Sequence, residues 1–217
     1  MTAVTTTERG SVQRVQATAD DLRGAILEAA GRLLAEEGPA ALTVRRIAAE
    51  AGGSTMNVYS RFGGKHGVVQ ALFVEGFNRL EQLMIAAPTT DDPLDDLFRG
   101  AEIYRTFALA NRTYYAVMFE GVIPDIEQSD ETVEAAKRTL GLLEASAQRA
   151  IDAGALVHDD AMALAVNLWA TYHGLVSLEL GTVCPPDVDW ARRYADTSAA
   201  VLRGFTPAGL SVGPRPD

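Results

Sequence analysis

The sequence predicts an all-α protein: an N-terminal three-helix domain carrying a helix-turn-helix, followed by a larger helical domain. Three observations carry this. Apolar residues recur at three- and four-residue spacing along most of the chain. Beyond Pro88, alternating strand patterns and hairpin dipeptides are absent. Two short helical segments flank a Gly52-Gly53 pair. With 217 residues, 47% of them hydrophobic, the chain can bury a sizeable core, which excludes disorder throughout.

Residues 1–17 are Thr-rich without helical periodicity, and a disordered arm is expected there. From Leu22 the pattern changes. Leu22, Ile26, Ala29, Leu33 and Leu34 mark a helix from about Ala19 to Glu37, with Thr18 and Asp21 spaced as a capping box and Gly38-Pro39 as a stop. Thr43 is placed to cap a short second helix, which Gly52 ends in the left-handed conformation. Ser54 is placed to cap a third, from Thr55 to about Phe62, and Gly63-Gly64 separate it from a fourth that begins near Lys65. Further helices are expected at about Leu94–Ala110, Arg112–Glu120, Asp130–Ala153, Asp159–Leu180 and Asp187–Phe205, punctuated by Pro124, Gly154 and the Cys184-Pro185-Pro186-Asp187 segment. The Pro/Gly-rich residues 206–217 read as a flexible tail. The domains are therefore expected at 18–72 and 73–205.

Charge is divided unevenly. The net charge is -10, yet residues 1–70 carry +1 and the remainder -11. Only the front third could face a phosphate backbone. Within it, GGSTMNVYSRFGGK supplies a polar helix too short to bury Thr55, Met56, Asn57, Ser60 and Arg61, while Val58 and Phe62, four apart, can anchor its inner face. Asparagine suits adenine, arginine suits guanine, and a Thr or Met side chain suits a thymine methyl; Tyr59 and Lys65 sit where phosphates would lie.

The stretch AEAGGSTMNVYSRFGGKHGVV resembles the signature of the tetracycline-repressor (TetR) family, through Ala48, Ala51, Gly52, Tyr59, Phe62 and Lys65. The resemblance spans about Ala19 to Leu80. It implies a transcriptional regulator, usually a repressor, binding a palindromic double-stranded DNA operator as a homodimer. Carried over by position, it implies cap and phosphate contacts from Ser54, Tyr59 and Lys65 and a recognition surface of Thr55, Met56, Asn57 and Arg61; Thr43, Arg45 and Ser60 are further candidate DNA-binding residues. Three positions depart: Gly53 stands where an apolar residue is usual, Arg61 where His is common, and His66 where an acid is frequent. Gly53 adds backbone freedom and removes a small contact in the turn.

The acidic helical remainder reads as the sensor. LWATYHGLVSLELGT, with Trp169, His173 and Gly174, resembles the Trp-His-Gly C-terminal domain of one branch of the family. The resemblance implies dimerisation through the last two long helices. A small, largely apolar or aromatic effector would need a pocket with one or two polar groups; the candidates are Tyr104, Phe107, Tyr115, Met118, Phe119, Trp169 and His173. Such stripes also form ordinary core.

No cofactor or metal is expected: His66, His158 and His173 lack ligand spacing, and the single Cys184 forms no intramolecular disulfide. No run approaches about eighteen uninterrupted apolar residues and the N-terminus lacks signal-peptide character, so a cytoplasmic protein without a membrane partner is expected. Two alternatives stand beside the regulator. One is a helical ligand-binding or interaction module without DNA binding. The other is a small hydrolase-like enzyme built on Gly209-Leu210-Ser211-Val212-Gly213, a motif that needs a strand before it and a helix after it.

Overall fold

The computed structural model describes residues 6–123, 129–181 and 187–207, with side chains from residue 21 onward. Among the described residues the secondary structure is nine α-helices and one 3-10 turn, without a strand: α1 (Thr6–Glu37), the turn Pro39–Ala41, α2 (Val44–Glu50), α3 (Thr55–Phe62), α4 (Lys65–Ala86), α5 (Pro93–Ala110), α6 (Arg112–Phe119), α7 (Asp130–Asp152), α8 (Ala161–Leu180) and α9 (Trp190–Arg203). They fall into two compact units, Met1–Glu75 with Ala116–Thr132, and Gly76–Tyr115 with Val133–Asp217.

The first helix differs from expectation. It begins at Thr6, not near Ala19, so Thr18 and Asp21 lie inside it rather than at its start, and the expected arm is helical from Thr6. Extending a helix whose later turns are anchored by buried Ile26, Ala29, Ala30 and Leu33 costs little per residue, and no proline interrupts Thr6 to Asp20. Residues 1–5, Pro124, Cys184, Pro185, Pro186, the Gly209–Gly213 motif and most of the tail lie outside the described residues.

In the first unit α2 packs against both α1 and α3. Leu42, Ile47 and Val58 are fully buried beside the α1 stripe. Two ion pairs tie α1 to α2: Arg46 grips Glu37 with both guanidinium nitrogens, at 2.5 and 2.6 Å, and Arg32 Nε meets Glu50 at 3.2 Å. The Arg46 hydrogen bonds hold the Glu37 carboxyl below its ordinary range.

In the second unit α8 packs against α5 and α9, and α5 also touches α9. By length and composition α8 is apolar enough to cross a membrane, with mean hydropathy 1.2, yet here Leu164, Leu168, Tyr172 and Val176 form the centre of a helical core. Helix starts are defined by side-chain caps: Asp92 accepts from Leu94 N and Asp95 N, Asp160 from Ala163 N, and Asp189 from Arg192 N. Tyr194 of α9 donates to Ala101 O of α5 at 2.7 Å.

Two charged groupings lock this unit. Arg105 of α5 pairs bidentately with Glu179 of α8, at 2.8 and 2.6 Å, and both side chains are mostly buried. Asp96 of α5 receives Thr90 N, Thr90 Oγ1, Arg99 and Arg149, which ties the segment before α5 to α7. Burial pushes the Asp96 carboxyl up, but the hydrogen bonds from Thr90 and Arg149 outweigh it and leave it below its ordinary 3.8.

Removing Glu179 strands a buried guanidinium. Glu179→Ala is expected to cost about 2–3 kcal/mol, and to lower the second unit's thermal midpoint by roughly 5–10 °C in calorimetry. Because the Asp96 pKa is depressed by folding, its contribution is complete above the unfolded value and fades as pH falls through the folded one. The thermal margin of the wild type over Asp96→Asn should therefore be constant from neutral pH down to about 4 and shrink below it.

Candidate functional site

The helix-turn-helix is closed by backbone geometry. At the end of α2, Gly53 N donates to Ala48 O at 2.8 Å and Gly52 N to Ala49 O at 3.1 Å, while Gly52 takes φ 66°. This paired arrangement is a Schellman stop, and it needs the left-handed residue that Gly52 supplies. The two expected caps are formed: Thr43 Oγ1 accepts from Arg46 N and Ser54 Oγ from Asn57 N, each at 3.3 Å.

α3 then divides into two faces. Val58 is fully buried, and Phe62 lies under the Arg23 guanidinium, 4.8 Å from its ring centroid. Ser54, Thr55, Met56, Tyr59 and Ser60 are exposed, Met56 at 70% and Tyr59 at 55%, with Asn57, Arg61 and Lys65 half-buried beside them. A free methionine and tyrosine at that exposure are not there for the fold. Arg45 is exposed too and makes no ion pair with the described residues, whereas its neighbour Arg46 is committed to Glu37.

Two glycines set this face in ways spacing alone does not reveal. A Cβ at Gly53 would lie 3.2 Å from Asn57 Nδ2, so its absence leaves room for the Asn57 amide. A Cβ at Gly67, in the first turn of α4, would lie 1.7 Å from Phe62 O. No side chain fits there. Sequence spacing does not single out Gly67; an isolated glycine inside a helical pattern is the one signal there that points to it.

The expected effector residues are only partly brought together. Trp169 hydrogen-bonds Tyr104; Tyr104 Oη and Tyr115 Oη converge on His173 Nδ1 at 3.0 and 2.8 Å; and Tyr115 Oη reaches Ser177 Oγ at 3.0 Å. Burial pushes the Tyr104 phenol up, with Tyr115 adding to it, so it stays protonated. This is a packed, mutually satisfied network in the second unit, stacked through Tyr115 and His173 at 5.6 Å. Phe107 is fully buried, and Met118 and Phe119 belong to the first unit. A cavity of about 320 Å³ in the second unit is lined by Met84, Ile85, Leu97, Gly100, Ile103, Leu142 and Tyr172 among others, and by none of the seven expected residues. Aromatic rings bearing polar tips satisfy one another when buried.

Sequence models of known families match both units. Residues 26–72 match the bacterial regulatory proteins of the tetR family, and residues 97–201 match the tetracyclin repressor-like C-terminal domain. The chain belongs to the TetR family. It is a DNA-binding transcriptional regulator rather than an enzyme. A protein of unknown function from Rhodococcus sp. RHA1 shares 26% identity and a TM-score of 0.75, over 86% of this chain and 96% of that one. A tetR-family bacterial regulatory protein from Rhodococcus RHA1 (21%, TM-score 0.68, 86% and 98%) shares the fold. So does the fatty acid degradation regulator FadR from Bacillus halodurans (19%, TM-score 0.70, 83% and 94%). No curated protein matches the chain.

The glycines give two expectations for this TetR protein. Gly67→Ala should lower the thermal stability of the first unit markedly, because backbone must move to relieve the overlap with Phe62 O; melting followed by circular dichroism measures it. Gly53→Ala should raise stability by roughly 0.4–1 kcal/mol through the unfolded chain while displacing Asn57, which a denaturant titration and the Asn57 side-chain amide resonances would read separately.

Proposed function

We propose that this regulator is a ligand-responsive repressor that binds a palindromic operator as a homodimer and is released by a small, mainly apolar effector. The observation that carries the DNA half is the outward face of α3, where Met56 and Tyr59 are largely exposed, flanked by the polar Thr55, Asn57, Ser60 and Arg61. Thr55, Met56, Asn57 and Arg61 read base edges in the major groove. Thr43, Arg45, Ser54, Tyr59, Ser60 and Lys65 fix register on phosphates and sugars.

Support for the dimer comes from α8. Met162, Val166, Ala170, Gly174 and Leu178, at every fourth residue, form an exposed apolar stripe, with Met162, Val166 and Leu178 at 37%, 41% and 55% exposure. A Cβ at Gly174 meets nothing within 4 Å, so a partner helix can approach closely there. A second copy presenting the same stripe closes a two-fold interface. Two recognition helices then address two half-sites about one DNA turn apart.

Release follows if the effector binds more tightly to dimers whose recognition helices no longer match that spacing. α4 is the shared element, since its first turns belong to one unit and its last turns to the other.

Fluorescence anisotropy on the DNA upstream of the protein's own gene, or on a site selected from random sequence, tests this. Wild-type binding should weaken steeply with salt, while Tyr59→Ala with Lys65→Ala should lose roughly tenfold or more and show a salt slope shallower by about one. Full DNA affinity in the double variant would reject the phosphate assignment, and failure to enrich any palindrome would favour a module without DNA binding. Gly174→Arg should sediment as a monomer with unchanged helicity; a stable dimer would reject α8 as the interface.

A further inference from the structure

Gly53 is a glycine that its own backbone does not require. It is not among the glycines with positive φ, so a side chain at this position meets no conformational strain. Its N–H is fixed on Ala48 O at 2.8 Å. Space explains it instead. A Cβ there would stand 3.2 Å from Asn57 Nδ2, tighter than ordinary contact, while Leu22 Cδ1 at 3.8 Å and Ala48 O at 3.9 Å wall its other sides. The turn has nowhere to retreat, so relief has to come from the Asn57 amide. That amide is half-buried and has no hydrogen-bond partner among the described residues; only the Asn57 backbone is engaged, by Ser54 and Ser60.

The backbone beneath Asn57 is equally fixed, since its N–H is held by Ser54 Oγ at 3.3 Å and Ser54 O at 3.0 Å. Only the side-chain torsions remain free, and the bare Cα of Gly53 decides which of their combinations fits. A primary amide carries a donor and an acceptor side by side, the pattern that matches N6 and N7 of adenine in the major groove. We propose that Gly53 is a positioning residue for base recognition: it seats the Asn57 amide in the conformation that reads one adenine in each half-site. Gly53 touches no base itself. The assignment rests on the reading of α3 as the recognition helix and adds the residue of the turn that decides whether Asn57 can read. Stability and specificity then pull in opposite directions at one position, because alanine restricts the unfolded chain but crowds the amide.

The test uses the full-length chain, an operator that it selects from random-sequence duplexes, and copies of that operator in which one half-site base pair at a time is changed symmetrically. Fluorescence anisotropy compares wild type, Asn57→Ala, Gly53→Ala and the double variant, with melting by circular dichroism on the same samples. Wild type should prefer adenine at one half-site position by roughly five- to hundredfold over its replacements, and Asn57→Ala should lose that preference there and nowhere else. Gly53→Ala should lose roughly threefold or more of the same preference while the other positions are read as before. In the Asn57→Ala background, Gly53→Ala should change no preference. Gly53→Ala should also melt no lower than wild type, which separates a displaced amide from a damaged turn. An adenine preference intact in Gly53→Ala, a loss spread evenly over all positions, or no position at which Asn57→Ala relaxes the preference would overturn the proposal. The two readings fail separately. Selection that enriches no palindrome removes the recognition-helix reading and this assignment with it, whereas an operator read alike by wild type and Gly53→Ala removes only the assignment.

Discussion

The missing side chain at Gly67 is the constraint on which the recognition surface depends. With Phe62 O where a Cβ would have to be, α4 starts directly against the end of α3, and no other residue type permits that approach. Gly63, at φ 71°, turns the chain out of α3 immediately before it, with its N–H returned to Tyr59 O at 2.9 Å. The exposed face of α3 is therefore aimed from both ends by backbone: the Schellman stop of α2 on one side and the Gly63–Gly67 corner on the other. Side chains contribute Val58 and Phe62 as inward anchors, and the rest of the helix is left to meet its surroundings.

The second unit is organised by different physics. Polar groups inside it occur as closed sets: the Trp169–Tyr104–His173–Tyr115–Ser177 network, the Arg105–Glu179 pair, and Asp96 with its four donors. Satisfied networks of this kind fix one arrangement of helices, because any sliding leaves several buried groups unpaired at once. Tyr172 Oη and Ser198 Oγ stand outside these sets, buried without a hydrogen-bond partner among the described residues.

Much of the fold was legible in the sequence because it is written in local chemistry. Thr43 and Ser54 cap the helices they were expected to cap, Gly52 and Gly63 take left-handed backbone, and the helices past Pro88 fall within a few residues of their periodic patterns. The start of α1 was misread, since a polar stretch without apolar periodicity carries no signal when a downstream anchored helix simply continues through it. The aromatic and histidine stripe is legible as a group, but its hydrogen-bonded closure is not. Whether such residues line a void or fill it depends on inter-helix distances that spacing does not encode. Tyr172 lay on the same stripe, and nothing in its neighbours along the chain marks its hydroxyl as unpaired.

The division of α3 into a backbone-fixed inner side and an outer side with no packing role has a consequence for descent. Substitutions at the exposed Thr55, Met56 or Ser60 carry almost no folding penalty, because surface changes away from caps and cores shift stability by only about half a kcal/mol. Duplicated copies of such a chain can therefore drift to new binding sites by steps that are nearly neutral for folding, while Val58, Gly63 and Gly67 stay under strict selection. A lineage built this way diversifies in what it reads long before it changes how it folds.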